Sequence, residues 1–250
     1  MTSFLIALQF LSRIQLAKQT VWTNEDFGKS VIWFPLIGTI IGIFLAAVYV
    51  AASYLFAPLY TAVIVVAAWL YITGGLHADG YMDTADGILS GRSRERMLEI
   101  LKDSRVGASG VMAFVFLVLL KITFVANLPA KYITIFLVSV PTAARFGALI
   151  SIFAFPYARA QGLGQAFVQY QPRHVLWKGG ILALLPMVYA GPLHLIVLGL
   201  GMVLSLLINR RICRYLGGVT GDTYGAVIEG SEMVLCGIGA ILFSLLFRLA

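Results

Sequence analysis

Long apolar runs separated by short polar stretches set the plan of this chain. A helix needs about 20 mainly apolar residues, within a range near 17–25, to cross the hydrocarbon core of a bilayer. Runs of that kind extend from Val31 to Phe56, Leu59 to Leu76, Gly107 to Leu128 and Tyr132 to Phe155. The run from Leu176 to Asn209 is 34 residues long, too long for one crossing, and Gly191-Pro192 divides it into pieces of 15–17 residues. With a last run from Met233 to Phe247, the pattern predicts about seven transmembrane helices. Phe4 to Leu16 reads as an N-terminal amphipathic helix lying along the membrane, with a short buried segment left open because its apolar residues are unevenly spread. Arg13 interrupts it, no basic residues precede it and no small-x-small cleavage site follows, so it is expected to be retained rather than removed as a signal peptide. The fold class expected is therefore all-α, a single integral-membrane domain over residues 1–250.

Counting 176–209 as two crossings places charged loops on one side. Arg13, Lys18, Lys29, Arg92, Arg94, Arg96, Lys102, Arg105, Arg159, Arg173, Lys178, Arg210, Arg211 and Arg214 then share a face, fourteen of the 18 Lys and Arg. Lys131 and Arg248 fall at the other. By the positive-inside rule the crowded face is cytoplasmic, so a cytoplasmic (inner) membrane with these loops on its inner side is expected. All 11 acids land on that same face, independently of the basic residues that fix the topology.

Composition agrees. Of 250 residues 60% are hydrophobic and 12% charged, with a mean hydropathy of +0.92, whereas a soluble domain carries about 25% charge. The net charge of +7 does not imply nucleic acid, because the basic residues are scattered over short loops, where they set topology and face anionic membrane lipid. Cys213 and Cys236 suggest neither a disulfide framework nor a metal cluster. Gly38 and Gly42 form a GxxxG pair that lets a neighbouring helix approach closely.

One polar stretch stands apart, ITGGLHADGYMDTADGILSGRSRERMLEILKDSRVGASG from Ile72 to Gly110, which holds Asp79, Asp83, Asp86, Glu95, Glu99 and Asp103. Asp79, Asp83 and Asp86 are spaced i, i+4, i+7 and project from one helix face. At roughly 6 Å and an effective dielectric near 20, adjacent ionised carboxylates repel by about 3 kcal/mol. A cation must relieve that repulsion, or a carboxyl must hold a proton. Hard oxygen donors with only His77 as a nearby nitrogen donor suit Mg²⁺ or Mn²⁺. Arg92, Arg94, Arg96, Lys102 and Arg105 suit a phosphate-bearing substrate. Metal and phosphate together point to phosphoryl transfer, against a plainer alternative in which these charges only pair with each other. Ser93 is a plausible N-cap of a short cytoplasmic helix, whose apolar stripe of Met97, Ile100 and Leu101 is expected to face the membrane.

Further candidates lie elsewhere. Arg145 sits inside a span, where a charge costs about 2.5–3.5 kcal/mol, so it pairs with an acid of the bundle or faces an anionic substrate; Pro141 allows a bend and a polar cavity there. Lys121 is open between snorkelling, a helix–helix bond and a ligand role. In LGGVTGDTYGAVIEGSE, from Leu216 to Glu232, glycines permit close backbone approach to a ligand. There Glu229 and Glu232 share a helix face as second-site metal ligands or a general base. PYARAQGLGQAF, from Pro156 to Phe167, supplies Arg159 with Gly162 and Gly164, either a phosphate-holding loop or a basic turn. His77 serves as a ligand, an acid/base or a hydrogen-bonding support.

The motif beginning GGLHADGYMDTADGILSGRS closely resembles, over some thirty positions, the signature of the cobalamin synthase family, membrane-bound adenosylcobinamide-GDP ribazoletransferases. The likeness continues in ALQFLSRIQL from Ala7, in Arg145 and in the two motifs at 156–167 and 216–232. The resemblance implies transfer of the cobinamide phosphate group from adenosylcobinamide-GDP to α-ribazole or its 5′-phosphate, with GMP released and Mg²⁺ required. On this reading Asp79, Asp83 and Asp86 hold the metal, and Asp83, Asp103 and Glu229 are the catalytic candidates. His77, Arg105, Arg145, Arg159, Asp222 and Glu232 contact substrate. The partners are these small molecules and membrane lipid, with no nucleic acid, and homo-oligomerisation is left open. Two alternatives fit the residues less well. A CDP-alcohol phosphotransferase lacks support because Asp79-Gly80 is followed by Tyr81, Met82 and Asp83 rather than its D-G-x2-A-R opening; an ion-coupled transporter would carry acids at midplane and an inverted repeat.

Overall fold

Backbone polar groups inside a bilayer have no water to bond, so a chain this apolar satisfies them within helices. The computed structural model describes residues 2–16, 22–159 and 162–249. Its elements are α1 (Thr2–Leu11), α2 (Asn24–Ser30), α3 (Phe34–Ser53), α4 (Pro58–Ile72), α5 (Leu76–Leu89), α6 (Arg94–Ile100) and α7 (Ala108–Ala126). They continue with α8 (Ala130–Ala154), α9 (Leu163–Tyr170), α10 (Val175–Ala183), α11 (Met187–Ala190), α12 (Pro192–Leu216) and α13 (Gly221–Leu249). Lys18 and the side chain of Arg248 lie outside the described residues.

The expected helical membrane architecture is present, with differences in the spans. Among the described residues five helices are long and apolar enough to cross a membrane: α2 running into α3, α7, α8, α12 and α13. The run at 59–76 forms the 15-residue α4, roughly 22 Å at 1.5 Å per residue, and then turns 90° into α5. Gly74 and Gly75, at φ +66° and +74°, make that turn, in a backbone region closed to most side chains. The count is six if the bent pair is taken as one span. The expected crossing at 176–190 is divided between the nine-residue α10 and the four-residue α11, with Pro186 at the N-cap of the second. Seven apolar segments are thus helical, but two are short.

Two further corrections concern the ends of the chain. The first helix stops at Leu11, short of Leu16, and it takes the buried alternative: Ile6, Ala7, Leu8 and Leu11 lie in the protein core rather than along a membrane surface. The last helix does not begin at Met233: α13 starts at Gly221, so Glu229 and Glu232 lie well inside a 29-residue helix.

The buried α8 is the centre of the bundle and packs on α3, α12 and α13. Gly38 and Gly42 make the α3 contact, since a Cβ on either would fall 2.4–2.5 Å from a carbonyl oxygen of Pro141 or Leu137. Ser93 caps α6 by accepting from the Arg96 amide at 3.4 Å, as its sequence suggests. The apolar side of α6 faces protein instead of lipid: Met97 and Leu101 cluster with Ile212 and Leu216 of α12 and Val227 of α13.

Candidate functional site

The two polar motifs meet where α5 crosses the first turns of α13. Gly80 and Gly225 allow it. A Cβ on Gly80 would come within 2.5 Å of the Asp222 carbonyl oxygen, and one on Gly225 within 2.7 Å of that of His77. The third motif joins them through a short parallel bridge between Tyr157 and Val219, in which the Ala158 amide donates to the Val219 carbonyl at 2.8 Å. The result is a cavity of about 290 Å³. His77, Asp79, Arg159 and Asp222 line it together with Gly162 and Gly164. These residues come from three separate stretches of sequence, each singled out above. Its apolar wall is Phe10 and Leu11 of α1 with Phe34 and Phe167; these aromatic rings contact one another, Phe34 and Phe167 edge-on at 5.5 Å.

Acids outnumber cations here. Asp83, one turn along α5 from Asp79, is half-buried outside the cavity lining, and its carboxyl is pushed up to about 7, first by burial and then by Asp79, Asp222 and Asp86, with Arg159 opposing. α5 is too polar to be read as a span, carrying three aspartates on 14 residues. Arg159 donates from Nη2 to Asp222 Oδ2 at 2.7 Å. Asp222 stands in the first turn of α13, whose start is fixed by Thr220 and Thr223: each backbone amide donates to the other residue's hydroxyl oxygen, at 2.8 and 3.3 Å.

Asp86 is placed differently from Asp79 and Asp83. Its two carboxylate oxygens accept from the Gly107 and Gly110 amides, each at 2.7 Å, and so cap the start of α7. Among the described residues no group of three or more His, Cys, Asp or Glu side chains is drawn together tightly enough to hold a metal ion. The donor set around the cavity still fits magnesium, which takes one or two carboxylates and completes its shell with water and substrate phosphates. Asp79 and Asp222 are the two that face the cavity.

Four other candidates form a separate, buried network. Lys121 of α7 donates to Glu229 at 2.5 Å and to Glu232 at 2.6 Å, and its ammonium stands 4.6 Å from the centre of the Trp69 ring. Arg145 pairs with Glu232 and donates from Nη2 to His77 Nδ1 at 3.4 Å. Lys121, Arg145, Glu229 and Glu232 are at most 1% exposed, and none of them lines the cavity. The cavity wall includes Ala148, about one turn beyond Arg145, rather than Pro141. Arg145 thus takes the bundle-acid partner, and His77, which Arg145 contacts, joins the network to the cavity wall. Asp103 and Arg105 lie elsewhere still. They bond each other at the surface at 2.6 and 2.9 Å, and the Arg105 guanidinium holds the Asp103 carboxyl down at about 2.

Sequence reasoning passed over the cavity's tyrosines. Tyr157 and Tyr224 line it, and burial raises the phenol of Tyr157. Both stand inside the motifs at 156–167 and 216–232, where attention to hydroxyl donors would have found them.

A family model described as cobalamin-5-phosphate synthase matches residues 3–240. An adenosylcobinamide-GDP ribazoletransferase of Brevibacillus brevis is 40% identical over 240 residues, 94% of this chain and 96% of its own. A protein of the same name from Desulfitobacterium hafniense is 41% identical over 244 residues, 92% of each chain, and one from Acinetobacter baumannii is 39% identical over 239 residues, 94% of this chain and 95% of its own. No solved structure matches the chain. With a family match over nearly its whole length and these relatives end to end, the chain belongs to the cobalamin-5-phosphate synthase family.

Proposed function

We propose that this membrane enzyme transfers the adenosylcobinamide phosphate group from adenosylcobinamide-GDP to α-ribazole or its 5′-phosphate, a late step of cobalamin biosynthesis. The observation that carries the reading is the cavity, where carboxylates of α5 and α13 stand opposite the guanidinium of Arg159. The attacking hydroxyl oxygen of ribazole forms a bond to the phosphorus that bears cobinamide. The bond from that phosphorus to the bridging oxygen breaks, and GMP leaves with the electron pair.

Arg159 binds the diphosphate through its fork of N–H donors. Asp83 takes the hydroxyl proton, its carboxyl being matched to proton transfer near neutrality. Asp79 and Asp222 would hold Mg²⁺, which when bound neutralises charge developing on the diphosphate oxygens. Asp86 holds the start of α7 against α5, and the Lys121–Glu229–Glu232–Arg145 network fixes the helices behind the cavity. The aromatic wall gives the site an apolar side. The side of the bilayer that carries these charges is the cytoplasmic one.

Membranes bearing the chain, supplied with labelled adenosylcobinamide-GDP, α-ribazole and Mg²⁺, are expected to release GMP and form the ribazole-linked corrinoid. Release of GMP without ribazole incorporation would point to hydrolysis and overturn the transfer.

A further inference from the structure

Among the described residues Arg159 is the one Lys or Arg that lines the cavity, and it faces a site richer in acids than in cations. Its Nη2 donates to Asp222 Oδ2 at 2.7 Å, and the same oxygen lies 3.4 Å from the Thr220 hydroxyl. The pair is accessible from the cavity, with side chains 13% and 25% exposed. Arg159 is only partly engaged: its Nε is buried and has no hydrogen-bond partner among the described residues. His77, 3% exposed and on the same wall, also leaves Nε2 without a partner. Because arginine can only donate, the contact from Arg145 makes Nδ1 of His77 an acceptor and puts the ring proton on Nε2. Two buried N–H donors beside the cavity therefore lack an acceptor, while Asp222 is covered by a cation.

We infer that Arg159 is a resident counter-cation that masks Asp222 until a diphosphate draws its guanidinium away, so that a divalent cation and a diphosphate reinforce each other's binding. This rests on the proposed diphosphate site. A diphosphate offers a guanidinium more oxygens and more charge than one carboxylate does, including acceptors suited to a bidentate pair. Once Arg159 moves to it, Asp222 is free to join Asp79 on the cation. Reciprocity requires that the cation tighten diphosphate binding by the same factor. Without the diphosphate, Arg159 and the divalent cation compete for Asp222.

The test is Mn²⁺ binding to the purified full-length chain in lipid nanodiscs, read from the electron paramagnetic resonance signal of free Mn²⁺, with and without GDP as the diphosphate probe. Arg159→Gln is expected to bind Mn²⁺ alone about fivefold more tightly than wild type, a coupling of ordinary size. GDP is expected to tighten Mn²⁺ binding to wild type by a similar factor and to do little for the Gln variant. Arg159→Lys, which keeps the charge and loses the fork, should bind Mn²⁺ alone like wild type and show a weaker GDP effect. Mn²⁺ binding by Arg159→Gln that is unchanged or weaker overturns the counter-cation role, whatever GDP does. Mn²⁺ binding by Arg159→Lys that is as tight as expected for Gln overturns it too. Tighter binding by the Gln variant with no GDP effect on wild type overturns instead the diphosphate site, and the exchange built on it.

Discussion

Glu229 and Glu232 lie two to three turns along α13 from Asp222, yet the two ends of that stretch hold charge in opposite ways. Deep in the bundle, two glutamates meet Lys121 and Arg145, so acids and cations balance at distances of 2.5–2.6 Å for the lysine. At the cavity, Asp79 and Asp222 line the wall with Asp83 close by on α5, and among the described residues Arg159 is the one cation of the lining, paired with Asp222. Balanced burial is what a scaffold needs, because one unpaired charge there costs several kcal/mol. An uncompensated cluster open to a cavity is a place where a ligand's charge is still wanted. The same residue types, on the same helix, thus separate into frame and site by their charge count.

That contrast is most sharply broken at Asp83. Asp83→Asn removes the proton acceptor and is expected to lower the rate of GMP release by about 10²–10⁴-fold. Mn²⁺ binding should stay within about twofold of wild type, since Asp79 and Asp222 remain; loss of Mn²⁺ binding would make Asp83 a ligand instead. In the buried cluster the loss should be of folding. Lys121→Met leaves two glutamates with one cation and is expected to destabilise the protein by about 3–5 kcal/mol. Thermal unfolding in detergent measures it, and adding Glu229→Gln to the same chain should recover most of the loss. If the single variant melts like wild type, the network is not structural.

A smaller effect follows from pH. The Asp83 carboxyl is raised from 3.8 to about 7, so between those values the folded chain holds a proton that the unfolded chain has lost. Stability in metal-free buffer therefore falls as pH rises through that window. A drop in melting temperature of ~2–4 °C between pH 5 and pH 8 is expected, and Asp83→Asn should flatten it. A slope that persists in the variant would assign the titration to another group.

Much of this contrast was legible in the chain, and the rest was hidden for physical reasons. The aspartate spacing marked α5, Gly38 and Gly42 marked the α3–α8 contact, and the gathering of acids on one predicted face anticipated the meeting of α5 with α13. What spacing could not show was the role of Asp86. It shares a face with Asp79 and Asp83 on α5, but its partners are amides 21 and 24 residues away. The pairing of Lys121 with Glu229 and Glu232 spans 108 and 111 residues, and hydropathy carries no register between helices. For Arg145 the resemblance favours an anionic substrate, and only the neighbouring helix, which brings Glu232 beside it, shows the bundle acid as its partner. The early start of α13 was obscured because glycines at 217, 218 and 221 suggest a loop, while Thr220 and Thr223 cap a helix.

The central claim, that acids from α5 and α13 act as one centre, is tested most directly by a double-mutant cycle on GMP release from adenosylcobinamide-GDP. Asp79→Asn, Asp222→Asn and the double variant are compared in membranes with matched amounts of folded protein. Groups that act as a unit are non-additive, so each single change should lower turnover nearly as far as both together. Losses that simply multiply would mean that the two carboxylates act independently, and would contradict a shared site.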